Sequence, residues 1–189
     1  FLVARSQGAA GPDNESFRLL TGFNDIFVSL ACILLLLAAG NLLPDTVSAI
    51  GVAALTWGLA EYFTGRRRMA LPSILLLLVF VGSVFSASFQ LISGTGHWTQ
   101  AFDQARISGH MAPLWSPLLV SGLIAAGSAA LHWRRFRVPI TLAAGAATLT
   151  VGAIALVGVL TNAVPGAGMI LLLAMLLCGL AIFATAMLF

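Results

Sequence analysis

Glu61 stands five, six and seven residues before Arg66, Arg67 and Arg68. A carboxylate so close to a guanidinium run, at the end of an apolar stretch, is expensive unless paired or hydrated. Asp25, in Gly22-Phe23-Asn24-Asp25, is its natural counterpart at similar depth. Two readings of these acids are open. In the structural one they join an interfacial salt-bridge network, and Asn24 and Asp25 start a helix. In the functional one they form a proton or cation site, or a polar cavity open to the cytoplasm. A second basic cluster holds Arg134, Arg135 and Arg137. Arginine clusters at a membrane edge can hold a phosphate headgroup, as an enzyme acting on a lipid or isoprenoid-type substrate needs. Topology alone also explains them. The candidate binding residues are therefore Asp25, Glu61, Arg66, Arg67, Arg68, Arg134, Arg135 and Arg137, and no catalytic residue stands out.

Other chemistry-bearing residues form no signature. His97, Asp103 and His110 share one connector with Trp98 and Arg106, but their spacing fits no zinc site, and no metal is expected. His132 sits among arginines at the opposite edge, so haem held between paired histidines has weak support. There is no H-E-x-x-H, G-x-S-x-G or P-loop. Ser83, Ser86 and Ser88 have no histidine nearby and are expected to bond to backbone or a neighbouring helix. The residues name no cofactor.

The elements that must position these groups are apolar helices. Of 189 residues, 60% are hydrophobic and only 8% charged, and mean hydropathy is +1.04. A soluble domain carries about a quarter charged residues. This chain cannot coat a globule, and its long unbroken apolar runs exclude the alternation of a β-barrel. Six runs cover about 23–43, 46–63, 71–93, 113–133, 138–160 and 168–189. A spanning helix needs about 20 residues, which makes the second marginal. The expectation is an all-α polytopic membrane bundle of six helices at 23–189, behind a cytoplasmic N-terminal segment at 1–22. That segment has Gly8, Gly11 and Pro12 as breakers, with helix-start chemistry at Asp13-Asn14-Glu15-Ser16. It lacks the form of a signal peptide. A start at Phe1 and an apolar end at Phe189 read as a piece of a longer chain.

The connectors alternate. Gly65-Arg66-Arg67-Arg68 and the stretch from His132 to Arg137 hold six of the nine arginines, and the other three connectors hold only Arg106. The positive-inside rule puts both basic connectors, and both termini, in the cytoplasm. The pI of 9.7 is thus topology, and no nucleic-acid partner is expected. Tyr62 and Trp133 beside the basic connectors, and Trp98 and Trp115 at the other edge, fit interfacial belts. Trp98, Ala101, Phe102 and Ala105 space out a short amphipathic helix on the outer surface. Arg67 to Pro72 resembles Arg134 to Pro139, either as a duplicated hairpin or as convergence of Arg anchors and helix-start proline. Convergence is the simpler account, because nothing outside the junction aligns.

Small residues recur at spacing four: Gly122, Ala126 and Ala130; Ala144, Thr148 and Gly152; Gly82 and Ser86, followed by Gln90; Ala54 and Gly58. They let helix backbones approach closely and point to a tight bundle. Cys32 and Cys178 lie inside apolar runs and read as packing residues. Lysine is absent while arginine, alanine, leucine and glycine abound, which suggests a bacterial, GC-rich source. The expected function is that of a non-catalytic accessory or structural subunit of the inner (plasma) membrane. Its partners would be lipids and other membrane subunits or itself. The alternative is a small transporter or channel with a cytoplasmic acidic site at Asp25 and Glu61.

Overall fold

The computed structural model describes residues 12–94, 98–162 and 167–187. Among them the regular structure is entirely helical: α1 Pro12–Leu42, α2 Asp45–Ala60, α3 Ala70–Ser93, α4 Trp98–Ser108, α5 Ala112–Phe136, α6 Ile140–Thr161 and α7 Ala167–Met187. A π-helical segment, Glu61–Arg66, continues α2. Six helices are long and apolar enough to cross a membrane: Phe23–Leu42, Thr46–Arg66, Ala70–Ser93, Ala112–Phe136, Ile140–Thr161 and Gly168–Thr185. They follow the six apolar runs. The marginal second run reaches 21 residues because the π-helical turn carries it on to Arg66.

Two boundaries differ from the sequence reading. α1 begins at Pro12 and runs unbroken into the first apolar stretch. Asn24 and Asp25 therefore sit inside a helix rather than at its start. The reason is that no breaker follows Pro12 until Pro44, and Gly22 alone is too weak to stop a helix flanked by good helix formers. Likewise His132 to Phe136 belong to the last turns of α5, not to a connector.

The centre of the bundle is α3 and α5. Over an 18-residue apolar stretch of each span, 39% and 44% of residues are buried in α3 and α5, against 11% in α1 and none in α7. Leu77, Phe80 and Val81 of α3 pack against Ala125 and Ala129 of α5, with Ala144 of α6 closing the layer. α5 and α6 meet through glycine. A methyl group built on Gly122 would lie 3.0 Å from the Thr148 carbonyl oxygen and the Gly152 nitrogen, so the two backbones touch with no side chain between them. The expected stripe Ala144, Thr148 and Gly152 is part of this contact. On α5 the buried register is Ser121, Gly122, Ala125 and Ala129, whereas Ala130 is exposed. Further along, the Trp115 ring fills the space beside Gly158.

The amphipathic α4 exists where the spacing placed it, but its apolar stripe faces its own bundle. Ala101 and Ala105 are buried with Phe89, Leu114, Leu118 and Ala155. The Phe89 and Phe102 rings stack at 6.4 Å. Intramolecular burial wins because Phe89 and Leu114 present an apolar surface at that end of α3 and α5.

Candidate functional site

Both basic junctions lie at one end of the bundle, and local backbone chemistry shapes each. After Ala60 the helix widens. The Arg67 amide donates to the Tyr62 carbonyl at 3.0 Å, five residues back, and the Met69 amide donates to the Phe63 carbonyl at 3.1 Å. Arg68 then takes a left-handed conformation with φ +52°, which turns the chain into α3. α5 ends the same way. Arg137 adopts φ +53°, and its amide donates to the Trp133 carbonyl at 2.8 Å. Glycine normally fills such positions, because a side chain there costs roughly 1–2 kcal/mol. Here the chain keeps an arginine at both. The left-handed residue stands four before Pro72 but two before Pro139, a mismatch that supports convergence over a duplicated hairpin.

Between these junctions lies an open cleft of about 1040 Å³. Its polar lining includes Glu61, Tyr62, Thr64, Arg66, Arg68, Arg135 and Arg137, and its apolar lining includes Met69, Ile74, Val138 and Ile140. Across it Arg135 Nε donates to Glu61 Oε1 at 2.8 Å, and Nη2 donates to Oε2 at 2.9 Å. This fork ties the end of α2 to the end of α5. The side chains are 36% and 61% exposed, so the pair fixes geometry more than it adds stability. Four guanidinium-bearing residues thus face one carboxylate, which is already engaged. Among the described residues no acid lies within ion-pair distance of Arg66, Arg68 or Arg137. Thr64 Oγ1 is buried with no hydrogen-bond partner.

The remaining sequence candidates lie elsewhere. Arg67 turns onto Tyr62, its guanidinium 5.8 Å from the ring centroid and 3.4 Å from the hydroxyl. Arg134 lines a smaller recess with Trp133 and Arg137. Asp25 does not line the cleft that holds Glu61, and its Oδ1 is buried without a partner. The two acids therefore do not face one another across it. His97 lies outside the described residues. His110 Nδ1 is 2.9 Å from the Ser108 carbonyl oxygen. Among the described residues no three His, Cys, Asp or Glu side chains converge as metal ligands.

No protein-family model, curated protein or solved structure matches the chain.

Two features were missed in the sequence. His132 is not at an exposed edge; it is fully buried, ringed by Trp57 at 5.9 Å, Phe80 at 5.9 Å and Phe136 at 4.5 Å between centroids. Neither ring nitrogen has a partner. The signal was present: Ala125, Ala129, His132 and Phe136 share one helical face. At the other end Thr46 donates to Gln90 Oε1 at 3.0 Å, and Gln90 donates to Ser86 Oγ at 2.9 Å. This satisfies an amide buried among apolar helices. Ser88 donates to the Val84 carbonyl, in line with the expectation for the serines of this helix.

Proposed function

We propose that this chain is a multi-pass protein of the bacterial inner membrane. In this reading it serves as a non-catalytic subunit of a larger membrane assembly or of a homo-oligomer. Uneven burial is the supporting observation. The α7 span is apolar around its whole circumference and has no buried residue, while α3 and α5 hold the bundle together. Such a helix adds little to the packing of one chain and leaves a full face for another protein or lipid. Native mass measurement from lipid nanodiscs tests this reading. A mass showing several copies or a bound partner is expected; a lone monomer at native lipid content would overturn it.

In the proposed orientation both basic junctions and both termini are cytoplasmic. The second reading, a transporter with an acidic site at Asp25 and Glu61, draws on the buried, unpartnered oxygen of Asp25. Against it stands the Glu61 carboxylate, with both oxygens held by Arg135. Flux in proteoliposomes that Asp25→Asn abolishes would favour the transporter.

A further inference from the structure

The basic cleft has a neighbour. A second groove, of about 580 Å³, runs between α1 and α3 and is lined by apolar residues that include Ile26, Leu30, Ile33, Leu71, Ile74 and Leu78, with Ser29 as the polar residue of its lining. Ile74 lines both spaces. The α1 residues from Ile26 to Ile33 recur at helical spacing and cover roughly 10 Å of helix length. They and the facing α3 residues belong to the ends of their spans nearest the basic junctions. An arginine-lined cleft thus opens beside an apolar trough that leads away from it along the bundle.

We propose that cleft and groove form one binding site for a phosphate-bearing lipid. The phosphate lies among Arg66, Arg68 and Arg137, and one hydrocarbon chain passes Ile74 into the α1–α3 groove. Planar guanidinium groups match phosphate oxygens in a bidentate way, and three of them without an acidic partner suit a group carrying close to two negative charges. Arg135 takes a different part: clamped on Glu61, it holds the two walls of the cleft at their spacing. Thr64 Oγ1 offers a hydroxyl that nothing in the protein satisfies. The two left-handed arginines support the same assignment. Strained backbone persists where surrounding structure imposes it, and both strained residues line this one cleft. A free phosphate would use the arginines alone and leave the groove without a role. The site rests on membrane insertion but not on the subunit reading, so a monomeric protein can still bear it.

The test uses the full chain in phosphatidylcholine nanodiscs doped with dioleoyl phosphatidic acid, with bound lipid counted by native mass spectrometry. Glycerol 3-phosphate and inorganic phosphate serve as competitors without a chain. One retained phosphatidic acid per chain is expected. Arg68→Gln and Arg137→Gln should each weaken retention about tenfold, the scale of one lost charge-assisted hydrogen bond. Arg67→Gln, outside the cleft lining, should leave it unchanged. Ile74→Trp, blocking the passage, should weaken lipid retention while leaving the weak competition by glycerol 3-phosphate intact. Should the arginine variants lose their fold, Arg68→Lys and Arg137→Lys keep the charge and report on the fork geometry. Equal retention by wild type and all variants would mean annular lipid and overturn the proposal. Equal affinity for glycerol 3-phosphate and phosphatidic acid would overturn the lipid assignment.

Discussion

His132 places two hydrogen-bonding nitrogens without a partner among the rings of Trp57, Phe80 and Phe136. A buried polar group without a partner costs about 1–3 kcal/mol. His132→Phe, similar in shape, should therefore raise the thermal midpoint in detergent. A lowered midpoint would mean the imidazole has a partner such as a bound water. The left-handed arginines invite a second substitution. Arg137→Gly should be stabilising by about 1 kcal/mol relative to Arg137→Ala, because only glycine takes φ +53° without strain. Thermal melting of the two variants side by side checks the difference. The left-handed arginines were not legible from residue types. An Arg cluster beside a proline reads as a membrane anchor, and nothing in one-dimensional spacing tells which arginine will adopt positive φ. The distinction between Arg67, drawn onto Tyr62, and Arg68, in the cleft lining, likewise depends on where the π-helical turn falls.

At the scale of helices, glycine positions separate contact from tolerance. A methyl group on Gly122 meets the α6 backbone at 3.0 Å, and one on Gly158 runs into the Trp115 ring, whereas Gly127 has open space around it. Gly122→Val and Gly158→Ala should destabilise by about 1–3 kcal/mol, as overpacking of a closed contact does. Gly127→Ala should be neutral or slightly stabilising, since alanine is the better helix former. Unfolding in mixed micelles separates the three. Six apolar helices, the short α4 and the α6 stripe were readable because period and length are local properties, whereas on α5 only Gly122 of the expected stripe is buried. The extension of α5 through Phe136 was not. Its last turn is polar outward and aromatic inward, so composition there looks like a connector while His132 and Phe136 remain on the buried face.

For the molecule as a whole, the charge pattern makes a statement about orientation. Six arginines sit in the two basic junctions, and only Arg106 in the remaining connectors. Moving each through the hydrocarbon core is unfavourable by about 2.5–3.5 kcal/mol even on lenient scales. With Cys32 and Cys178 replaced by Ala, Gln100→Cys should react with an impermeant thiol reagent on intact cells and Gly65→Cys should not. The reverse pattern would invert the topology. That both junctions occupy one end followed from counting spans; that they would share a cleft did not, because it depends on which helices become neighbours. The cleft also has a date of arrival. Its lining comes from residues 58–74 and 135–140. A nascent chain therefore carries Glu61, Arg66 and Arg68 past the ribosome long before their opposite wall has been made. Once the start of α6 has emerged the lining is complete, and α7, which follows it, supplies none of it. A stop after Thr161 would leave every lining residue in place.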